Sequence, residues 1–190
     1  MKRIIDRDSA YSARPIQLAD YLWLAETLED FPINGGLTMV SAQNELNIMR
    51  RLYRDSRGVG LVTEFDEQPV GITVMSRPYK ADDYATITIQ ATHPDYRRQG
   101  HGRNCALLRG FLAFNLESLT HLVYDVENGN TGAESLGTEF HEVSSPGIEY
   151  KPGSHMPDSL YKRRVFSAQN WVDFVEAKSI DLTRFSLETL

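Results

Sequence analysis

Between an alternating run, Ala85 to Thr92, and an apolar-periodic stretch that begins near Arg103 lie Arg97-Arg98-Gln99-Gly100-His101-Gly102. A strand that passes through a glycine turn straight into a helix limits the chain's architecture more than any other stretch does. A helix start leaves its first N–H groups without intrahelical partners and carries partial positive charge, so phosphate oxygens are favoured there. Gly100 and Gly102 lack Cβ atoms, which permits a sharp turn and close approach of a ligand to the amides. Arg97 and Arg98 add permanent charge and forked donors suited to phosphate. The same six residues also fit a plain strand-to-helix turn with two solvated arginines, so context decides between the two.

Two phosphate-loop patterns match this stretch poorly. A nucleotide P-loop would end in Gly-Lys-Ser/Thr, whereas this turn continues Gly102-Arg103-Asn104. A dinucleotide fingerprint would place a third glycine where Cys105 stands. The stretch instead resembles the acyl-coenzyme A loop of the GCN5-related N-acetyltransferases: Arg or Gln, two residues, Gly, one residue, Gly or Ala. Arg97, Gly100 and Gly102 fill it, and Thr92-His93-Pro94-Asp95-Tyr96 is similar to the lead-in common in that family, with Thr92 for the usual valine. A second match follows about thirty residues later: Asn130, Ala133 and Leu136 fill the family's Asn-x-x-Ala-x-x-Leu stretch.

The chain of 190 residues, 41% hydrophobic, reads as one domain, with a family-like core over about 11–166 and a C-terminal extension over about 167–190. Its net charge of −6 argues against general nucleic-acid affinity. A single cysteine excludes an intrachain disulfide framework, and no run approaches transmembrane length, so a soluble cytoplasmic protein with no membrane partner is expected. The five histidines show no ligand spacing, and no metal is expected.

In chain order, Tyr11 to Gln17 reads as a first strand, and Leu18, Tyr21, Leu22, Ala25 and Leu28 repeat at helical spacing. A turn at Phe31 to Gly36 precedes a second helix with Leu46, Met49, Leu52 and Tyr53 on one face. Gly60 to Phe65 and Val70 to Ser76 read as a hairpin. In the run from Ala85, Ile87, Ile89 and Ala91 share one face, and Thr86, Thr88, Gln90 and Thr92 the other. Leu107, Leu108, Phe111, Leu112 and Phe114 form a helix, with Cys105 packed in its first turn. His121 to Val126 is a strand, Thr131 to about Gly137 a short helix, and His141 to Ser144 with Ser159 to Phe166 a closing strand pair. Trp171, Phe174 and Val175 repeat at helical spacing, and Ile180 to Leu187 alternates. The tail reads as an extra helix on the core, the alternative being a partner-binding or dimer-forming extension.

The resemblance implies an α/β fold with a mixed, mostly antiparallel central sheet of about six or seven strands, flanked by about four or five helices. It implies an acetyl-CoA-dependent N-acetyltransferase, acting on an amine of a small molecule or on a protein lysine or N-terminus. The backbone of Gln90, Ala91 and Thr92 would pair with the pantetheine arm. The amides from Gln99 through Gly100, His101 and Gly102 to Arg103 would hold the pyrophosphate, with Arg97, Arg98 or Arg103 on the phosphates and Asn130 on the coenzyme arm. Amine attack needs a base, and the run from Ala85 to Thr92 holds no carboxylate; Glu64, Asp125 and Glu127 are nearest in sequence. A proton is also needed for the departing thiolate. Many relatives carry tyrosine after the Leu of the second motif, where this chain has Gly137, so Tyr150 and Tyr161 are the substitute hydroxyls. Two other readings remain: a coenzyme-binding or interaction protein on the same fold without catalysis, and a phosphate-binding module for some other nucleotide.

Overall fold

Two β-rich runs separated by Asp66-Glu67 close on each other because both central residues adopt positive φ, 49° and 64°, the twist that suits a two-residue hairpin. In the computed structural model, which describes residues 2–29, 58–77, 83–127, 129–140 and 161–189, these are β3 (Gly58–Phe65) and β4 (Gln68–Ser76). They stand at the centre of an eight-stranded sheet. With β1 (Lys2–Asp6), β2 (Tyr11–Pro15), β5 (Tyr84–Thr92), β6 (His121–Glu127), β7 (Tyr161–Ser167) and β8 (Phe185–Thr189), its order is β7-β6-β5-β4-β3-β2-β1-β8. Among the described residues every pairing is antiparallel except that of β5 with β6. The mixed α/β, mostly antiparallel architecture agrees with expectation. The strand count exceeds it because β1 and β8, weak in local pattern, pair with each other at one edge.

Helix α1 (Tyr21–Glu29) follows a 3₁₀ turn at Leu18–Asp20. Leu22, read as part of its apolar face, is 82% exposed, whereas Leu24 and Thr27 are buried. The helix predicted around Leu46 to Tyr53, the turn before it and the strand at His141 to Ser144 lie outside the described residues. Helix α2 (His101–Gly110) packs its Ala106, Leu107 and Leu108 on the sheet and runs on as a wider π-helical segment, Phe111–Leu116. Helix α3 (Thr131–Glu139) joins β6 to the segment before β7, and α4 (Ala168–Ala177) follows β7 directly through a Ser167–Asn170 capping box.

Strand β5, which leads into the glycine turn, is not the uniform alternation its sequence suggests. Val74 of β4 faces Ile89, but Met75 faces Ile87, so Thr88 is an extra residue in β5. Such a bulge exchanges the faces of the strand on either side of it. Ile87 packs in the core beneath α2 with Met75, Leu107 and Phe111. Ile89 and Ala91 instead join Ile72, Val74 and Leu24 on the α1 side. Ile87 therefore does not share a face with Ile89 and Ala91 as the plain alternation predicts, and Gln90 and Thr92 turn toward α2.

The tail closes the far edge. Arg184 donates to both carboxylate oxygens of buried Asp6, and its backbone C=O accepts from the Arg7 N–H at 2.9 Å. Burial alone would raise the Asp6 carboxyl, but hydrogen bonds from Arg184, Ser9 and the Asp8 amide outweigh it and hold its pKa below the ordinary carboxylate value. Asp20 is depressed in the same way, burial being outweighed by Arg14 and the Gln17 amide. A carboxyl whose folded pKa lies below its unfolded one stabilises the fold above the unfolded value and loses that contribution as pH falls through the folded one. Urea midpoints should therefore fall as pH drops below about 4. Asp6→Asn should cost about 1–2 kcal/mol at pH 7, discounted because Arg184 reaches solvent, and should fall less steeply in acid. An unchanged acid slope in that variant would remove Asp6 from the account.

Candidate active site

The parallel pair β5 and β6 is joined over Tyr84↔His121, Ala85↔Leu122 and Thr86↔Val123. Beyond Thr86 and Val123 both strands continue, to Thr92 and to Glu127, without pairing with each other. Parallel strands that part in this way leave a wedge with backbone N–H and C=O groups along its walls. The β5 wall is kept straight by β4 on its other side. At the wide end of the wedge stands the start of α2.

That start is built by local chemistry. His93 caps a 3₁₀ turn, Pro94–Tyr96, its Nδ1 accepting from the Asp95 amide at 3.3 Å. Arg97 Nε donates to the Thr92 carbonyl at 3.2 Å, and Gln99 Nε2 to the Asp95 carbonyl at 2.9 Å, which folds the loop back on the end of β5. Arg98 and Gly100 take positive φ, 61° and 84°, and Gly100 is the N-cap of α2 with no side chain on its orphan amides. A Cβ on Gly102 would lie 3.4 Å from Thr92 Oγ1 and 3.8 Å from Leu136 Cδ1, so the helix start touches both β5 and α3. Arg97, Arg98, Gln99 and Gly100 are exposed.

His101 is the exception in the loop, being buried. Its Nδ1 lies 2.8 Å from the Tyr11 hydroxyl, and its ring is edge-on to Tyr11, Phe65 and Tyr96. Burial lowers its pKa and so favours the neutral ring beneath the glycine turn. Its backbone amide remains among those the sequence offers to phosphate, while its ring anchors the loop to β2 and β3.

Other expected residues fall elsewhere. Asn130 is the N-cap of α3, its Oδ1 accepting from the Ala133 amide at 3.1 Å. Glu64 is buried on β3, its Oε1 accepting from Arg14 at 2.7 Å and its Oε2 from Arg3 at 2.8 Å and Ser12 at 3.2 Å. It is a buried, paired carboxylate rather than a solvated surface charge. Asp125 is held by both forks of Arg163, at 2.9 and 3.1 Å. Gly137 is buried within α3. Tyr161 opens β7 opposite Glu127, and Tyr150 lies outside the described residues. Cys105 packs in the first turn of α2, its Sγ 2.6 Å from where a Cβ on Gly71 would be, and burial pushes its thiol up to about 11. An unreactive, buried thiol at this point is a packing group.

The sequence reading passed over Arg109. It is 2% exposed, donates to Gln90 Oε1, and lays its guanidinium 5.7 Å from the centre of the Tyr124 ring. It thus spans the two diverging strands from the α2 side. The signal was present, since a lone arginine between Leu108 and Gly110 interrupts an otherwise apolar helix face.

A wedge between parallel strands, opening on a helix start that is glycine-capped and arginine-flanked, is the arrangement that the resemblance to N-acetyltransferases implies. Solved structures of that kind superpose on it. A spermidine N-acetyltransferase SpeG chimera from Vibrio cholerae and hSSAT matches with TM-score 0.69 at 14% identity, over 87% of this chain and 99% of that one. The apo form of FdhC, a nucleotide-linked sugar GNAT, matches with TM-score 0.67 at 9% identity, over 90% and 94%. An acetyltransferase from Streptococcus agalactiae matches with TM-score 0.61 at 16% identity, over 83% and 98%. No curated protein matches the sequence significantly. The family model described as acetyltransferase (GNAT) family matches residues 22–138, and the chain belongs to that family. Among the described residues, no helix is long and apolar enough to cross a membrane.

Proposed function

We propose that the protein is an acetyl-CoA-dependent N-acetyltransferase, and the observation that carries the reading is the glycine-capped start of α2 beside the unpaired edge of β5. The amides from Gln99 to Arg103 would take the pyrophosphate, with Arg97 and Arg98 supplying countercharge. The pantetheine arm would lie along Gln90, Ala91 and Thr92, extending the sheet by backbone hydrogen bonds, with Asn130 beyond the wedge on the β6 side. Backbone N–H groups at the bulge beside Thr88 would be the donors to a thioester carbonyl as it gains charge. An amine attacking that carbon forms the amide C–N bond, and the C–S bond breaks as the tetrahedral intermediate collapses.

Proton transfer is divided unevenly. Glu64 and Asp125 are engaged by arginines, so we assign neither as base, and the amine proton leaves through water. Tyr150 and Tyr161 are the hydroxyls proposed for the thiolate. Acceptor amines on small molecules or proteins, a cytoplasmic setting and a homodimer belong to the same proposal.

A second reading keeps the coenzyme and drops the turnover, favoured by Gly137 and by the paired state of both carboxylates. The two separate in one assay of thiol release from acetyl-CoA against a panel of polyamines, amino sugars and lysine peptides. Transfer should raise release at least about tenfold over hydrolysis with one amine class, since general acid–base assistance alone is worth about 10²–10⁴. Coenzyme binding with no release above hydrolysis across the panel would establish the second reading instead.

A further inference from the structure

Glu139 sits in the last turn of α3, the end of a helix where a carboxylate is disfavoured by the partial negative charge of the free carbonyls. Two cations hold it there. Its Oε1 lies 2.7 Å from Arg103 Nε and 3.7 Å from Lys178 Nζ. One oxygen therefore pins a guanidinium and an ammonium close enough together for a single phosphate to bridge them. Both cations are about half exposed, 49% for Arg103 and 44% for Lys178, against 28% for Glu139, so their open sides face solvent. Two positive charges against one negative leave the cluster cationic.

Its position gives that charge a use. Arg103 is the third residue of α2, and its N–H bonds to the Gly100 carbonyl at 3.1 Å, so the cluster lies one turn from the anion loop. Lys178 caps the C-terminal end of α4, outside the stretch 22–138 that the family model covers. Coenzyme A carries three phosphates: two in its pyrophosphate and a third, a monoester, on the 3′ oxygen of its ribose. A monoester bears more charge than either pyrophosphate unit and has three oxygens open to donors.

We infer that Arg103 and Lys178, pre-positioned by Glu139 beside the loop, form the receiving site for the 3′-phosphate of the coenzyme; this rests on the coenzyme reading above. An exposed ion pair kept only for stability would contribute little and would not distinguish one coenzyme from another. A phosphate site distinguishes them directly.

The test titrates coenzyme A and dephospho-coenzyme A, which lacks only the 3′-phosphate, into the full chain by calorimetry at fixed ionic strength. Native protein, Lys178→Ala, Lys178→Arg and Arg103→Ala are compared. The native chain should prefer coenzyme A by about tenfold or more. Lys178→Ala should cut that preference by about threefold to fivefold while leaving dephospho-coenzyme A affinity unchanged, and Lys178→Arg should restore it. Equal affinity of the native chain for both ligands would overturn the inference, as would variants that weaken both ligands alike. If neither ligand binds at all, the coenzyme reading itself falls, and the inference with it.

Discussion

Gly100→Glu is expected to abolish the rise in thermal midpoint that acetyl-CoA gives the native chain. At about 100 times its dissociation constant a ligand stabilises a fold by about 2.7 kcal/mol, and for a chain of this size about 1 kcal/mol moves the midpoint by about 2–4 °C. The shift in the native protein is thus large enough to read. At φ 84° Gly100 occupies left-handed backbone, where a side chain costs about 1–2 kcal/mol, yet a Cβ there would meet nothing within 4 Å. The variant should therefore fold, with a modestly lower midpoint of its own. What it adds is a carboxylate at the cap of α2, among the amides meant for phosphate, and like charge excludes the ligand. Gly100→Ala should keep part of the shift, because it brings the strain without the charge. A full shift in Gly100→Glu would mean that the coenzyme binds elsewhere and that the turn is architecture alone.

Trp171→Ala is expected to cost about 3–5 kcal/mol, a large share of the stability of an ordinary domain. Trp171 is 2% exposed, and its indole lies over Gly110, where a Cβ would stand 2.6 Å from the ring. Around it are Phe114, Phe166 and Phe174, with Phe140 stacked on Phe174 at 4.1 Å. The indole N–H also donates to Asn115 Oδ1 at 2.9 Å, within the π-helical segment that follows α2. Truncation would open a cavity between α2 and α4 and leave the Asn115 oxygen unpartnered. Urea unfolding should show the midpoint lower by about 2 M. Trp171→Phe, which keeps a ring and loses the donor, should cost less. A loss below about 1 kcal/mol in Trp171→Ala would make α4 an appendage, as the extension reading of the tail allows.

Much of the candidate site was legible because its determinants are local. The turn from Arg97 to Gly102 is punctuated by glycines, and the Asn130 motif caps a helix through atoms three residues apart. Periodicity likewise found the β3–β4 hairpin, β5, α2, β6 and α4. The misreadings share the opposite property. The β5 bulge depends on register against β4, so an even alternation of eight residues placed Ile87 on the wrong side relative to Ile89 and Ala91. Leu22 fitted the helical spacing of α1, but which side of that helix meets the sheet is a property of the packing.

What the sequence by itself determined is the glycine turn between β5 and α2, the two elements that flank it and the family, since each is written in residues a few positions apart. Only the tertiary structure decided where the charges go. Glu64 reaches Arg3 and Arg14, Asp6 reaches Arg184 across almost the whole chain, and Glu139 gathers Arg103 and Lys178 from two other helices. Long charged side chains carry no periodic signature, and their partners are chosen by the register of strands and the docking of helices that the hydrophobic pattern brings together.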